Sequence, residues 1–100
     1  MVLNVTLKFG GGAEGLFGGQ KKIKVNLDED HQENWTMRSL LVYIKDNLVL
    51  QAEEKFFQNG TVRPGILVFV NDCDWELLYK EEYEIEQGDV ITFTSTLHGG

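Results

Sequence analysis

Apolar residues fall at every second position from Leu3 to Phe9, with Asn4, Thr6 and Lys8 between them. A period of two belongs to a strand with one buried face. Gly10-Gly11-Gly12 breaks the run. Alternation resumes at Ile23, Val25 and Leu27, set against Lys22, Lys24 and Asn26. Two such runs in succession predict a hairpin with a long glycine-rich connection. The period then changes. After a polar loop from Asp28 to Asn34, Met37, Leu40, Leu41, Ile44 and Leu48 lie at helical spacing and form one apolar stripe. Thr36 stands where a helix N-cap belongs, because its hydroxyl can accept from a free amide of the first turn. Each residue of the stripe, if fully buried, contributes roughly 1.5–3 kcal/mol. This helix is the element that would cover the sheet.

The second half is read the same way. A shorter helical turn is expected from Ala52 to Phe57, ended by Asn59-Gly60. Arg63-Pro64-Gly65 is a breaker. Ile66 to Val70 is a continuous apolar run, the pattern of a centrally buried strand. Asn71-Asp72 starts a turn, Trp75 to Leu78 reads as a short strand, and Gln87-Gly88-Asp89 is a tight turn. Val90 to Ser95, rich in Val, Ile, Thr and Phe, is the last strand. The order strand, strand, helix, strands predicts an α+β layer arrangement. A β-grasp is the natural candidate, with a mixed sheet of four to five strands packed on one main helix. The predicted boundaries are a folded domain over 1–94 and a flexible C-terminal tail over 95–100.

Length and composition narrow the function. One hundred residues make one domain, large enough for a modest core without staples. The single cysteine, Cys73, leaves no internal disulfide and no cluster for zinc or iron–sulfur, which fits a reducing, cytoplasmic setting. It also excludes a β-grasp ferredoxin. The opening residues, Met1 to Thr6, have no basic region and no long apolar run, so neither a signal peptide nor a membrane span is expected. Sixteen acids against nine bases give a net charge of −7. Phosphate backbones require Lys and Arg, so direct nucleic-acid binding is not expected. A basic protein partner is the better match. The late acids, Asp72, Asp74, Glu76, Glu81, Glu82, Glu84, Glu86 and Asp89, read as a solvated face.

Candidate chemistry is sparse. Gly10-Gly11-Gly12-Ala13-Glu14-Gly15 matches G-x-G-x-x-G in letters. That fingerprint needs a helix opening at the glycines to meet a pyrophosphate. Here Gly15, Gly18 and Gly19 interrupt the next stretch and a second strand begins near Lys21, so a hairpin loop is the reading. Cys73 lies between Asp72 and Asp74, which oppose a thiolate, so a structural or incidental thiol is expected. His31 and His98 have no metal-ligand spacing. Trp75, Tyr79, Tyr83 and Phe93 read as core or rim aromatics. Phe17, in the glycine-rich loop, can anchor a partner or fold back over the sheet end. No Ser/His/Asp set, carboxylate pair or P-loop is present, so the chain is not expected to be an enzyme or to bind a metal.

The most telling feature is the end, Leu97-His98-Gly99-Gly100, a diglycine just after the last strand. Glycine has no Cβ, and two in a row can thread a slot too narrow for a side chain. The six residues 95–100 could reach roughly 20 Å at about 3.3–3.6 Å each. Four segments together carry a resemblance. They are Phe9 to Phe17, Arg63-Pro64-Gly65-Ile66, Asn71 to Leu77, and Ser95-Thr96-Leu97-His98-Gly99-Gly100. On these the chain resembles the ubiquitin-related modifier family, the eukaryotic sulfur-carrier branch of ubiquitin-like proteins, over its whole length. Cys73 departs from the pattern, since a small uncharged non-thiol residue is expected there.

The resemblance implies a ubiquitin-like β-grasp and a chemistry. An E1-like adenylyltransferase/sulfurtransferase with a rhodanese-like domain would use ATP and Mg²⁺ to adenylate the Gly100 carboxylate. A persulfide on that enzyme would convert it to a thiocarboxylate. A tRNA thiolation enzyme would then take the sulfur for 2-thiolation of wobble uridine. Alternatively, the activated end would acylate target-protein lysines in an isopeptide bond. Gly100 would be the attachment residue, Gly99 would allow close approach, and Leu97 and His98 would set the register in the activating enzyme. The nucleotide and metal belong to that enzyme, and the chain itself, expected to be a monomer, binds no cofactor. The competing reading is a non-covalent ubiquitin-like interaction domain whose diglycine is incidental.

Overall fold

The computed structural model describes residues 2–29 and 34–96. Among these, the alternating runs become β1 (Val2–Gly10) and β2 (Lys22–Asp28), paired antiparallel from Val2↔Asp28 to Lys8↔Lys22. Leu3, Val5, Leu7 and Phe9 of β1 are all buried, as the period of two requires. The connection between the strands holds a five-residue 3-10 turn, Ala13–Phe17, between left-handed glycines at 12 and 18. It joins two paired strands, which is the hairpin reading.

Helix α1 (Met37–Asn47) starts at Thr36. The Thr36 hydroxyl accepts from the Ser39 amide, and the Ser39 hydroxyl accepts from the Thr36 amide, a reciprocal cap. Met37, Leu40, Leu41 and Ile44 are almost completely buried and join the sheet's inner residues in one core. Leu48 lies at the helix's C-terminal boundary and is half-buried, so the stripe is one residue shorter than its spacing suggested.

The segment after α1 differs from expectation. Only Glu53–Lys55 is helical, as one 3-10 turn. Phe57–Gln58 (β3) and Thr61–Val62 (β4) then pair across Asn59-Gly60, both at positive φ. Asn-Gly is the preferred sequence for such a two-residue hairpin turn.

The remaining strands are β5 (Ile66–Val70), β6 (Cys73–Asp74) and β7 (Val90–Ser95), and the five-stranded sheet runs β2-β1-β7-β5-β6. β1 and β7 are parallel and the other pairs antiparallel, so the sheet is mixed. The expected central strand is therefore not β5. Among the described residues its only outer neighbour is the two-residue β6, and its burial alternates, with Leu67 exposed and Val68 buried. A run of five apolar residues cannot tell a strand buried on both faces from one buried on a single face. Asn71 and Asp72, both at positive φ, make the two-residue turn between β5 and β6. Trp75 to Leu78 is a 3-10 turn rather than a strand, with the Asp74 carboxylate accepting from the Glu76 amide at its start.

Two side-chain expectations also change. Tyr79 is exposed rather than core or rim, whereas Trp75 and Phe93 are buried. Asp89 is buried, unlike the other late acids. Its Oδ1 accepts from Asn71 Nδ2 at 2.8 Å, and its Oδ2 accepts from the Tyr83 hydroxyl at 2.7 Å and the Glu86 amide at 2.9 Å. It closes the turn that launches β7.

Candidate functional site at the end of the last strand

The residues expected to carry the chemistry, Leu97, His98, Gly99 and Gly100, lie outside the described residues. What the structure describes is the end of β7 and the residue after it, to which that segment is joined. β7 pairs with β5 as far as Ser95↔Ile66, one residue beyond the predicted 94/95 boundary. Thr96 is held as well. Its amide and its hydroxyl both donate to the Gly65 carbonyl oxygen, at 2.8 and 2.7 Å. A carbonyl oxygen has two lone pairs, so one acceptor can take both.

Gly65 can face Thr96 because of the turn that carries it. The Ile66 amide donates to the Arg63 carbonyl at 3.1 Å, closing Arg63-Pro64-Gly65-Ile66. Proline presets φ at the second position, and Gly65, at φ +100°, occupies the third, where positive φ is needed. Arg63 ties the turn back to the body. Its amide donates to the Phe56 carbonyl, and its Nη1 donates to the Glu54 carbonyl at 3.2 Å.

The other side of Ser95 is covered by Gly11, which sits at φ +65°. A Cβ there would overlap the Ser95 carbonyl oxygen and stand 3.0 Å from its nitrogen. The chain thus leaves the sheet between two glycines, one in the β1–β2 connection and one in the turn before β5. Two of the four segments that carry the family resemblance meet at this point, and the terminal segment begins here. Sequence reading singled out those segments but not the contact between them, since Gly11, Gly65 and Thr96 are far apart in the chain.

Aromatic rings support the same end of the sheet. Phe9 and Phe93 are neighbours in β1 and β7, with ring centroids 5.6 Å apart. Phe17 stacks on Phe9 at 4.0 Å and meets Phe56 edge-on at 5.3 Å. Phe17 is fully buried, which corrects its candidacy as a partner anchor. A residue with no exposed surface cannot dock on another molecule. It folds back over the sheet end instead, and holds the loop that carries Gly11.

Other candidates lie elsewhere. Cys73 is half-buried at the far end of β5, its Sγ 3.8 Å from the Asp74 carbonyl oxygen. Lys8, Lys21, Lys22, Lys24, Lys45, Lys55 and Lys80 are all exposed, so exposure does not single out one as an acceptor. Among the described residues no group of His, Cys, Asp or Glu could hold a metal ion. No helix among them is long and apolar enough to cross a membrane.

A family model for Urm1, ubiquitin related modifier, matches residues 4–100. The chain belongs to the ubiquitin-related modifier family. It is 54% identical to ubiquitin-related modifier 1 of Bos taurus over 98 residues, covering 98% of this chain and 96% of the relative. The corresponding protein of Homo sapiens is 51% identical over the same length, with the same coverage. The solution structure of Urm1 from Trypanosoma brucei superposes with a TM-score of 0.81 at 37% identity, covering 99% of this chain and 97% of that one. The fold is thus the ubiquitin-like β-grasp, and the family is one of ubiquitin-related modifiers.

Proposed function

We propose that the chain is a covalent carrier whose reactive group is the Gly100 carboxylate. Such a carboxylate has a pKa of about 3.3–3.7 and is ionised, hence a poor electrophile, at neutral pH. An E1-like partner adenylates it. The carboxylate oxygen attacks the α-phosphorus of ATP, held with Mg²⁺ on the partner, and pyrophosphate leaves. The terminal sulfur of a partner persulfide then attacks the acyl carbon and AMP leaves, giving an acyl disulfide. A second thiol breaks the S–S bond, forming an enzyme disulfide and freeing the thiocarboxylate. That sulfur goes to a tRNA thiolation enzyme for wobble uridine. A target lysine that attacks the activated acyl group instead yields an isopeptide bond.

Leu97 and His98 set the register in the activating enzyme, and Gly99 removes the side chain that would obstruct its channel. The site of action is cytoplasmic. The folded body is the part that partners recognise.

One observation supports this reading above the others. The family match runs through residue 100 and so includes the diglycine along with the folded body. The held exit at Ser95 and Thr96 fits a segment that must be presented in one direction. Intact-mass measurement tests it. Incubation with the activating enzyme, ATP and a sulfur donor should exchange one oxygen for sulfur, and removal of Gly100 should abolish the change. An unchanged mass, while a known carrier is converted in parallel, would leave a non-covalent interaction domain as the reading.

A further inference from the structure

The geometry points to Thr96 as a positioning residue for activation of the terminus, acting with Gly65 and Gly11. This rests on the carrier reading above. Thr96 is exposed, yet its hydroxyl duplicates the bond its own amide already makes to the Gly65 carbonyl. A threonine needed only for strand pairing would not have to do this, because the amide suffices for the ladder. The second bond fixes the side-chain rotamer. It thereby adds a second tie, through the side chain, between Thr96 and the turn that carries Gly65.

The restraint is two-sided. Gly11 closes on the Ser95 backbone so tightly that no side chain fits. The Arg63–Ile66 turn, pinned to the Phe56 and Glu54 carbonyls, holds Gly65 opposite. Among the described residues, the last held position is therefore Thr96. Four residues remain beyond it, spanning at most roughly 14 Å at about 3.3–3.6 Å each. A hold as late as Thr96 leaves fewer positions between body and carboxylate for a partner's active site to place. It also lets the starting point of that segment be set by the fold. A partner that grips the body at a fixed place then meets the terminal segment at a fixed starting point.

Loss of the hydroxyl should cost binding rather than chemistry. Thr96→Val keeps the shape and the amide bond but removes the hydroxyl. Its KM for the activating enzyme, read by ATP–pyrophosphate exchange, should rise roughly three- to tenfold, the scale of one lost hydrogen bond. Its kcat should stay within about twofold. Thr96→Ser retains a hydroxyl and should restore KM. Thermal unfolding followed in parallel would reveal a merely structural role as a lower Tm without a KM change. A Thr96→Val protein with unaltered KM, or a KM defect that Thr96→Ser shares in full, would overturn the assignment. Failure of the unaltered chain to support any exchange with a competent enzyme would instead overturn the carrier reading.

Discussion

Asp89 shows how much one side chain can organise. A buried carboxylate is costly unless its oxygens are satisfied. Here three donors from three segments satisfy it: Asn71, Tyr83 and the Glu86 amide. Asn71 then uses its own Oδ1 to accept from the Val90 amide, and its backbone amide donates to the Val90 carbonyl, so the network fixes the first residue of β7. Asp89→Ala should cost about 3 kcal/mol in urea unfolding, because it leaves buried donors without an acceptor. Tyr83 supplies a second prediction. Burial, and then the hydrogen bond to Asp89, push its phenol well above the ordinary value near 10. The folded state therefore holds that proton more tightly than the unfolded state. The resulting stability is complete below about pH 10 and is lost as the pH climbs past that value. Unfolding titrations of the unaltered chain and Tyr83→Phe should therefore converge as the pH rises above 10. Curves that stay parallel there would contradict the assignment.

At the level of elements, the exit of β7 depends on the connection after β1. Gly11 and Gly12 are adjacent, and both have positive φ, but their surroundings differ. A Cβ on Gly12 would meet nothing within 4 Å, whereas one on Gly11 would strike the Ser95 backbone. Gly12→Ala should therefore cost only the left-handed strain, roughly 1–2 kcal/mol. Gly11→Ala should cost measurably more, because backbone on one side must also move. Chemical denaturation of the two variants compares them directly, and equal losses would mean that the Gly11 contact carries no energy. The same loop is held from below. The Leu50 amide donates to the Leu16 carbonyl, and Gln51 Nε2 donates to the Gly15 carbonyl, so the segment after α1 braces it.

For the molecule as a whole, one end of the sheet is built around four phenylalanines, at 9, 17, 56 and 93. They come from β1, the glycine-rich connection, the segment before β3, and β7. Phe17→Ala should destabilise the protein by about 3–5 kcal/mol, as expected for deleting a buried ring. The loss should appear in the isolated protein by calorimetry. If stability were unchanged and only partner binding fell, Phe17 would be an interface residue after all. Charge is also segregated at this scale. Glu76, Glu84 and Glu86 are exposed and Glu82 pairs with Arg38 at 2.6 Å, while Lys8, Lys22 and Lys24 lie on the open face of β1 and β2.

The chain's own pattern was enough for the elements with a strong period. β1, β2, α1 and β7 lie where alternation and the 3.6-residue stripe put them, and the Thr36 cap is legible because capping is local chemistry. The diglycine and the segments around it carried the family. Other features depended on neighbours far away in sequence. Position in the sheet decided that β5 buries one face, since burial depends on which strands flank it. Asn59-Gly60 closes a hairpin whose arms are two residues each, too short to show a period. Asp89 is buried because Asn71, Tyr83 and Glu86 converge on it, and Phe17 because Phe9 and Phe56 do. The grip on Ser95 and Thr96 is the clearest case. Gly11, Gly65 and Thr96 contribute a close approach, a carbonyl and two donors, and only the folded sheet brings them to one point.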